Sequence, residues 1–165
     1  MENSTTNDIF VLEQIKLEWE PDHLLTIKQR GISKIVAYND AKQEFTIFNE
    51  KLKLEVQVPS LISEVKGIIQ QPLSMIYYSN SLIGFYQLVK NQVATSQSMC
   101  RSYVTDIDQV VYDIAAPGIL IALSRRQNTL QLFEARGTGE HFECTTRGVL
   151  RLPLEYGKQL LNMHI

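Results

Sequence analysis

Three segments of the chain show the same succession of apolar and polar positions: KIVAYNDAKQEFTIFNEKLKLEVQVP, SMIYYSNSLIGFYQLVKNQVATSQ and GILIALSRRQNTLQLFEARGTGEHFECTT. Each has an apolar run, a short polar turn, a second run ending in an aromatic residue, a polar break and a third extended stretch. The first runs, Ile35 to Tyr38, Met75 to Tyr78 and Ile119 to Leu123, are rich in the β-branched and aromatic residues that suit a pleated surface. The turns after them carry ND, SNS and RRQN, in which Asn, Asp and Ser bond locally to the backbone. The second runs end at Phe48, Tyr86 and Phe133, followed by Asn49, Gln87 and Glu134. The pattern predicts one antiparallel meander, three times over.

Upstream of the runs the copies agree more loosely. Pro72 stands three residues before Met75 and Pro117 three before Leu120. In QVVYDIAAP, Val110, Tyr112 and Ile114 alternate with strand periodicity, which supplies a fourth strand per unit. The corresponding SLISEVKGIIQQP is ambiguous. Leu61, Ile62, Val65, Ile68 and Ile69 fall at helical spacing with Ser60 as a candidate cap, whereas the repeat favours a strand. Near the N-terminus, Ile15, Leu17 and Trp19 alternate with Lys16 and Glu18 and read as a leading strand.

A unit of about 40 residues with four strands, its third strand closed by an aromatic and a polar residue, resembles the blade of a WD-repeat β-propeller. Phe48, Tyr86 and Phe133 stand as the blade-core aromatics where that family has tryptophan, and Asn49, Gln87 and Glu134 where it has aspartate. No copy keeps the WD dipeptide or the Gly-His signature. The resemblance covers about residues 24 to 152. The expected fold is all-β: about three four-stranded antiparallel blades of an incomplete or partner-completed β-propeller, with a β-sandwich as the alternative. The expected organisation is an N-terminal segment (1–23) with the leading strand, repeats at about 24–59, 60–100 and 101–148, and a further element from 153 to 165. Propellers close with four to eight blades. Three are therefore expected either to be the N-terminal part of a longer ring, whose last blade the leading strand would complete, or to dock on another subunit.

Composition narrows the classes. An apolar fraction of 44% with 21% charged residues is that of a folding chain. With 16 basic against 18 acidic residues and a net charge of −2, there is no electrostatic reason to expect nucleic acid as a partner. Cys100 and Cys144 lack CxxC spacing, which favours a reducing compartment. The N-terminal sequence lacks the basic start and apolar run of a signal peptide, and no stretch approaches the roughly 20 apolar residues of a membrane helix. The expected location is the cytoplasm.

Candidate chemistry is sparse. His23, His141 and His164 form no metal-ligand spacing, and His141 and Cys144, three apart in an expected strand, would face opposite ways. Asp106, Asp108 and Asp113 lie close in sequence without the glycine of a calcium loop, and read as solvated loop residues. Asp113 is the one singled out for a structural role, as an inner-strand polar group bonding a neighbouring loop. Arg125 and Arg126 at the tip of SRRQN are candidates for gripping a phosphate, a lipid headgroup or an acidic partner, but the pair lacks the flanking residues of such a motif and an ordinary charged turn is the favoured reading. Gly137 and Gly139 fit a turn better than a nucleotide loop, and Trp19, Tyr77, Tyr78 and Tyr86 read as sheet packing. No catalytic residue, metal ligand or cofactor is expected. The expected function is a non-enzymatic scaffold, a protein-interaction subunit of a larger intracellular assembly, its partners other protein subunits that cover an unfilled blade edge or face. The alternatives are a module binding phosphate or a phosphoinositide headgroup through the paired arginines, and a small all-β enzyme of unknown type.

Overall fold

The structure, a computed structural model, describes residues 14–29, 31–71, 74–87, 96–112, 116, 118–137 and 139–153. Every strand among them belongs to one of three four-stranded antiparallel sheets, each a simple meander. The first sheet holds β1 (His23–Gln29), β2 (Ile32–Asn39), β3 (Glu44–Phe48) and β4 (Leu54–Pro59). The second holds β5 (Gly67–Gln70), β6 (Ser74–Tyr78), β7 (Leu82–Gln87) and β8 (Ser96–Arg101). The third holds β9 (Gln109–Tyr112), β10 (Ile119–Ser124), β11 (Thr129–Arg136) and β12 (Glu143–Arg151), with one 3-10 turn at Gly139–His141. The protein is thus all-β, and its repeated runs are the second and third strands of each sheet.

The sheets stack in chain order. Side chains alternate across a strand, and the alternation in the middle sheet sends two apolar sets in opposite directions. Met75, Tyr77 and Tyr86 join Ile27, Val36, Tyr38, Phe45 and Ile47 in a core between the first and second sheets. Ile76, Tyr78 and Ile83 join Val110, Leu120, Ala122 and Phe133 in a core between the second and third. A sheet buried on both faces needs apolar residues at consecutive positions, and SMIYY supplies them. Gly84 gives the first seam room. A Cβ there would collide with the Tyr77 ring, which crosses Gly84 so that its hydroxyl donates to Gln97 Oε1 at 2.8 Å.

One expectation is corrected. Residues 14–22 form no strand: the Ile15, Leu17, Trp19 alternation lacks a ladder partner among the described residues, and the first strand begins at His23. The ambiguous segment holds the strand that the repeat favours, β5 at Gly67–Gln70 paired with β6, and residues 60–66 before it form a connector and not a helix. Pro72, Pro117, Ile114, Asp113, His164 and most of the expected element at 153–165 lie outside the described residues.

Candidate interaction surface

One rim of the stack is built from a repeated device. The residue just before each inner strand donates its N–H to a carbonyl near the end of the second strand: Asp22 to Tyr38 at 2.9 Å, Lys66 to Tyr78 at 2.8 Å and Asp108 to Leu123 at 2.8 Å. In the outer two sheets its carboxylate also holds the next turn. Asp22 Oδ2 accepts from the Asp40 N–H at 2.7 Å, and Asp108 Oδ2 from the Arg125 N–H at 2.6 Å. The middle sheet has Lys66 there instead, whose Nζ donates to the Ile107 carbonyl at 3.1 Å.

The connectors between sheets repeat as well. SLISEVK (60–66) and SYVTDID (102–108) match in character position by position. Ser60 and Ser102 accept from the N–H two residues on, at 3.2 and 3.0 Å. Ile62 and Val104, then Val65 and Ile107, are buried, while Glu64 and Asp106 both take positive φ, 54° and 56°. Gln131, fully buried on β11, accepts from Ser102 Oγ, the Tyr103 N–H and the Val104 N–H, and donates to Thr146 Oγ1. Its amide thereby ties the second connector to the third sheet.

These contacts place the candidate residues. Arg125 and Arg126 lie in a four-residue turn closed by an N–H bond from Asn128 to the Arg125 carbonyl at 3.1 Å, as Gln43 bonds Asp40 in the first sheet at 3.1 Å. Asn128 and Gln43 both have positive φ, so Arg125 and Arg126 occupy the turn positions of Asp40 and Ala41. Arg126 Nη1 donates to Asp106 Oδ2 at 2.8 Å in an exposed ion pair. Asp106 and Asp108 therefore serve the turn, and they do not converge with His141. No metal-binding group of His, Cys, Asp or Glu occurs among the described residues. The blade-core aromatics Phe48, Tyr86 and Phe133 are all buried. Each lies at the same place in its sheet, and Phe48 and Phe133 both sit at a register shift against the outer strand.

The cysteines depart most from expectation. Cys100 on β8 and Cys144 on β12 are joined in a disulfide, with Cα atoms 5.9 Å apart. Sequence spacing gave no hint, because the outer strands of adjacent sheets meet only through the stacking. His141 lies in the 3-10 turn and not in a strand, so the expected alternation of His141 against Cys144 does not apply.

One apolar surface on which no other sheet packs among the described residues is the face of the third sheet turned away from the second. Register places Val111 beside Ile121, Ile121 beside Leu132, and Leu130 beside both Leu123 and Leu150. Val111, Ile119, Ile121, Leu130 and Leu132 are half-buried and belong to neither core, and Leu150 is 58% exposed. Glu134 borders this face with ion pairs to Arg136 and Arg147, and Arg147 leads in holding its carboxyl below the usual range. The outward face of the first sheet differs, for there Ala37, Thr46 and Phe48 are buried. No helix among the described residues is long and apolar enough to cross a membrane.

Compared with models of known protein families and with curated proteins, the chain matches none.

Proposed function

We propose that the chain is a non-enzymatic interaction subunit: three blades of a WD-repeat-like stack whose third sheet receives a β-sheet of another protein. The observation that carries this reading is the apolar outer face of β9 to β12. It has the residue types with which the other sheets pack against one another, yet Val111, Ile119, Ile121, Leu130 and Leu132 on it are only half-buried and Leu150 is exposed. Contiguous apolar surface of this kind marks protein contacts. The rim turns, held by Asp22 and Asp108, give such an assembly rigid edges on which loops vary. The Cys100–Cys144 bond supports assembly where thiols stay oxidised, and a reducing cytoplasm fits it less well.

The test is comparative recovery from the cell of origin. A tagged wild-type chain should retain a partner that Ile121→Glu/Leu132→Glu loses and Arg125→Ala/Arg126→Ala keeps. Retention of that partner by the face variant would overturn the reading. Loss on replacing the arginines alone would move the contact to the turn.

A further inference from the structure

The second and third sheets are fastened in two ways. Along the inner strands and the connector the tie is noncovalent: β5 lies against β9. Ser102 Oγ donates to Gln131 Oε1 at 2.8 Å, Lys66 Nζ to the Ile107 carbonyl at 3.1 Å and Tyr78 Oη to the Asp108 carbonyl at 3.3 Å. Between the outer strands β8 and β12 the tie is the Cys100–Cys144 bond. The same two sheets part around a cleft of about 440 Å³ whose lining includes Phe85, Ser98, Ala135 and Phe142. Cys100 follows Ser98 by two residues, and Cys144 stands opposite Ala135 in register and two residues after Phe142. The disulfide therefore closes the outer side of the cleft, where the Phe85 and Phe142 rings meet at 5.0 Å.

The first seam has a different fastening between its outer strands. Gln97 on β8 donates Nε2 to the Pro59 carbonyl on β4 at 2.7 Å and accepts from the Tyr77 hydroxyl at 2.8 Å. A thiol reductant thus acts on the second seam and leaves the first alone. The two sulfurs are also unequally placed. Cys100 is 3% exposed inside the second core, whereas Cys144 is half-buried at its margin. Exchange depends on which sulfur a thiolate can reach, so Cys144 takes the attack.

We propose that Cys100–Cys144 is a redox clasp: cleaved by a dithiol, it lets the third sheet hinge away from the second about the connector, and the cleft opens to uncover Phe85 and Phe142. One thiolate of the dithiol attacks Cys144 Sγ, the S–S bond breaks, and Cys100 leaves as a thiolate that takes up a proton. The second thiolate then displaces Cys144, which is protonated in turn. The dithiol departs as a cyclic disulfide, having passed two electrons to the cysteines. Each sheet keeps its own ladder, so the motion is that of rigid bodies about a hinge. A change of thiol state biases such a two-position element. The surface uncovered is separate from the outer face of the third sheet and needs no partner there.

The test follows the full chain in native buffer with and without dithiothreitol. It reads the nuclear Overhauser contact between the Phe85 and Phe142 rings, amide exchange in the three ladders, and fluorescence of an anilinonaphthalene sulfonate dye that binds uncovered apolar surface. Reduction should abolish the ring contact and raise the dye fluorescence while all three ladders stay protected, and reoxidation should reverse both changes. Cys100→Ser/Cys144→Ser should show the hinged form without reductant. The proposal is overturned if the ring contact persists in the reduced chain, if ladder protection is lost together with it, so that the chain unfolds and does not hinge, or if dithiothreitol leaves the bond intact in the native protein.

Discussion

At the scale of single residues, the seams depend on a few side chains for which the sheets leave little tolerance. Gly84 is one, since the Tyr77 ring lies where its side chain would be. Gly84→Ala should lower stability to urea by about 2 kcal/mol, as overpacking of a filled core does. Replacing Tyr77 by Leu in the same background should recover part of that loss. Tyr86 is another. It is fully buried with its hydroxyl unpartnered, and burial first, then the charge of Glu55, pushes its pKa up to about 12. The folded state holds this proton more tightly than the unfolded chain, whose tyrosine titrates near 10. Its contribution is complete below pH 10 and disappears as pH rises from 10 to 12, a loss of about 3 kcal/mol. Burial raises Tyr38, Tyr77 and Tyr78 as well, so alkaline unfolding should be steep. In Tyr86→Phe it should begin at higher pH, as followed by near-ultraviolet circular dichroism.

At the scale of elements, strands joined by turns are recognisable from sequence, and connectors between sheets are not. IVAY, SMIYY and ILIAL declare themselves because β-branched and aromatic residues end at turn formers, a local signal. The connector SLISEVK has helical spacing because Ile62 and Val65 both reach the core from an irregular loop. Comparison with SYVTDID is the signal that separates loop from helix. Asp22 and Asp108, which no motif singled out, each hold a turn of their own sheet from the position just before the inner strand. Asp108→Ala should therefore loosen the Arg125–Asn128 turn and cost about 1 kcal/mol, near the usual worth of one hydrogen bond. Faster exchange of the Arg125 amide would register the change. Asp106→Ala, which removes only an exposed ion pair, should cost less than Asp108→Ala.

At the scale of the molecule, the sheets are independent meanders held to one another by two apolar seams, by the connectors and by one covalent bond. The Cys100–Cys144 disulfide closes a loop across a sequence separation of 44 residues. A loop of that length restricts the unfolded chain by about 4 kcal/mol in the chain-entropy model. Reduction, or Cys100→Ser/Cys144→Ser, should lower the urea midpoint, with the third sheet opening from the second before the first seam is lost. Hydrogen exchange along β10 and β6 would resolve that order. The stacking also explains why the outer face of the third sheet escapes a sequence reading. Val111, Ile121 and Leu132 look like any other core positions in a strand, and only the arrangement of sheets shows that they face away from both cores.

The central claim is that this face is a contact surface, and its most direct test is the solution mass of the full chain against protein concentration, by light scattering. With no partner protein present to cover the face, the wild type is predicted to bury it against a second copy and grow in mass with concentration, while Ile121→Glu/Leu132→Glu, with charge placed on the outer face, holds at the 18.9 kDa of one chain. A wild type that stays at the mass of one chain throughout, and resists urea no better than the face variant, would contradict the account.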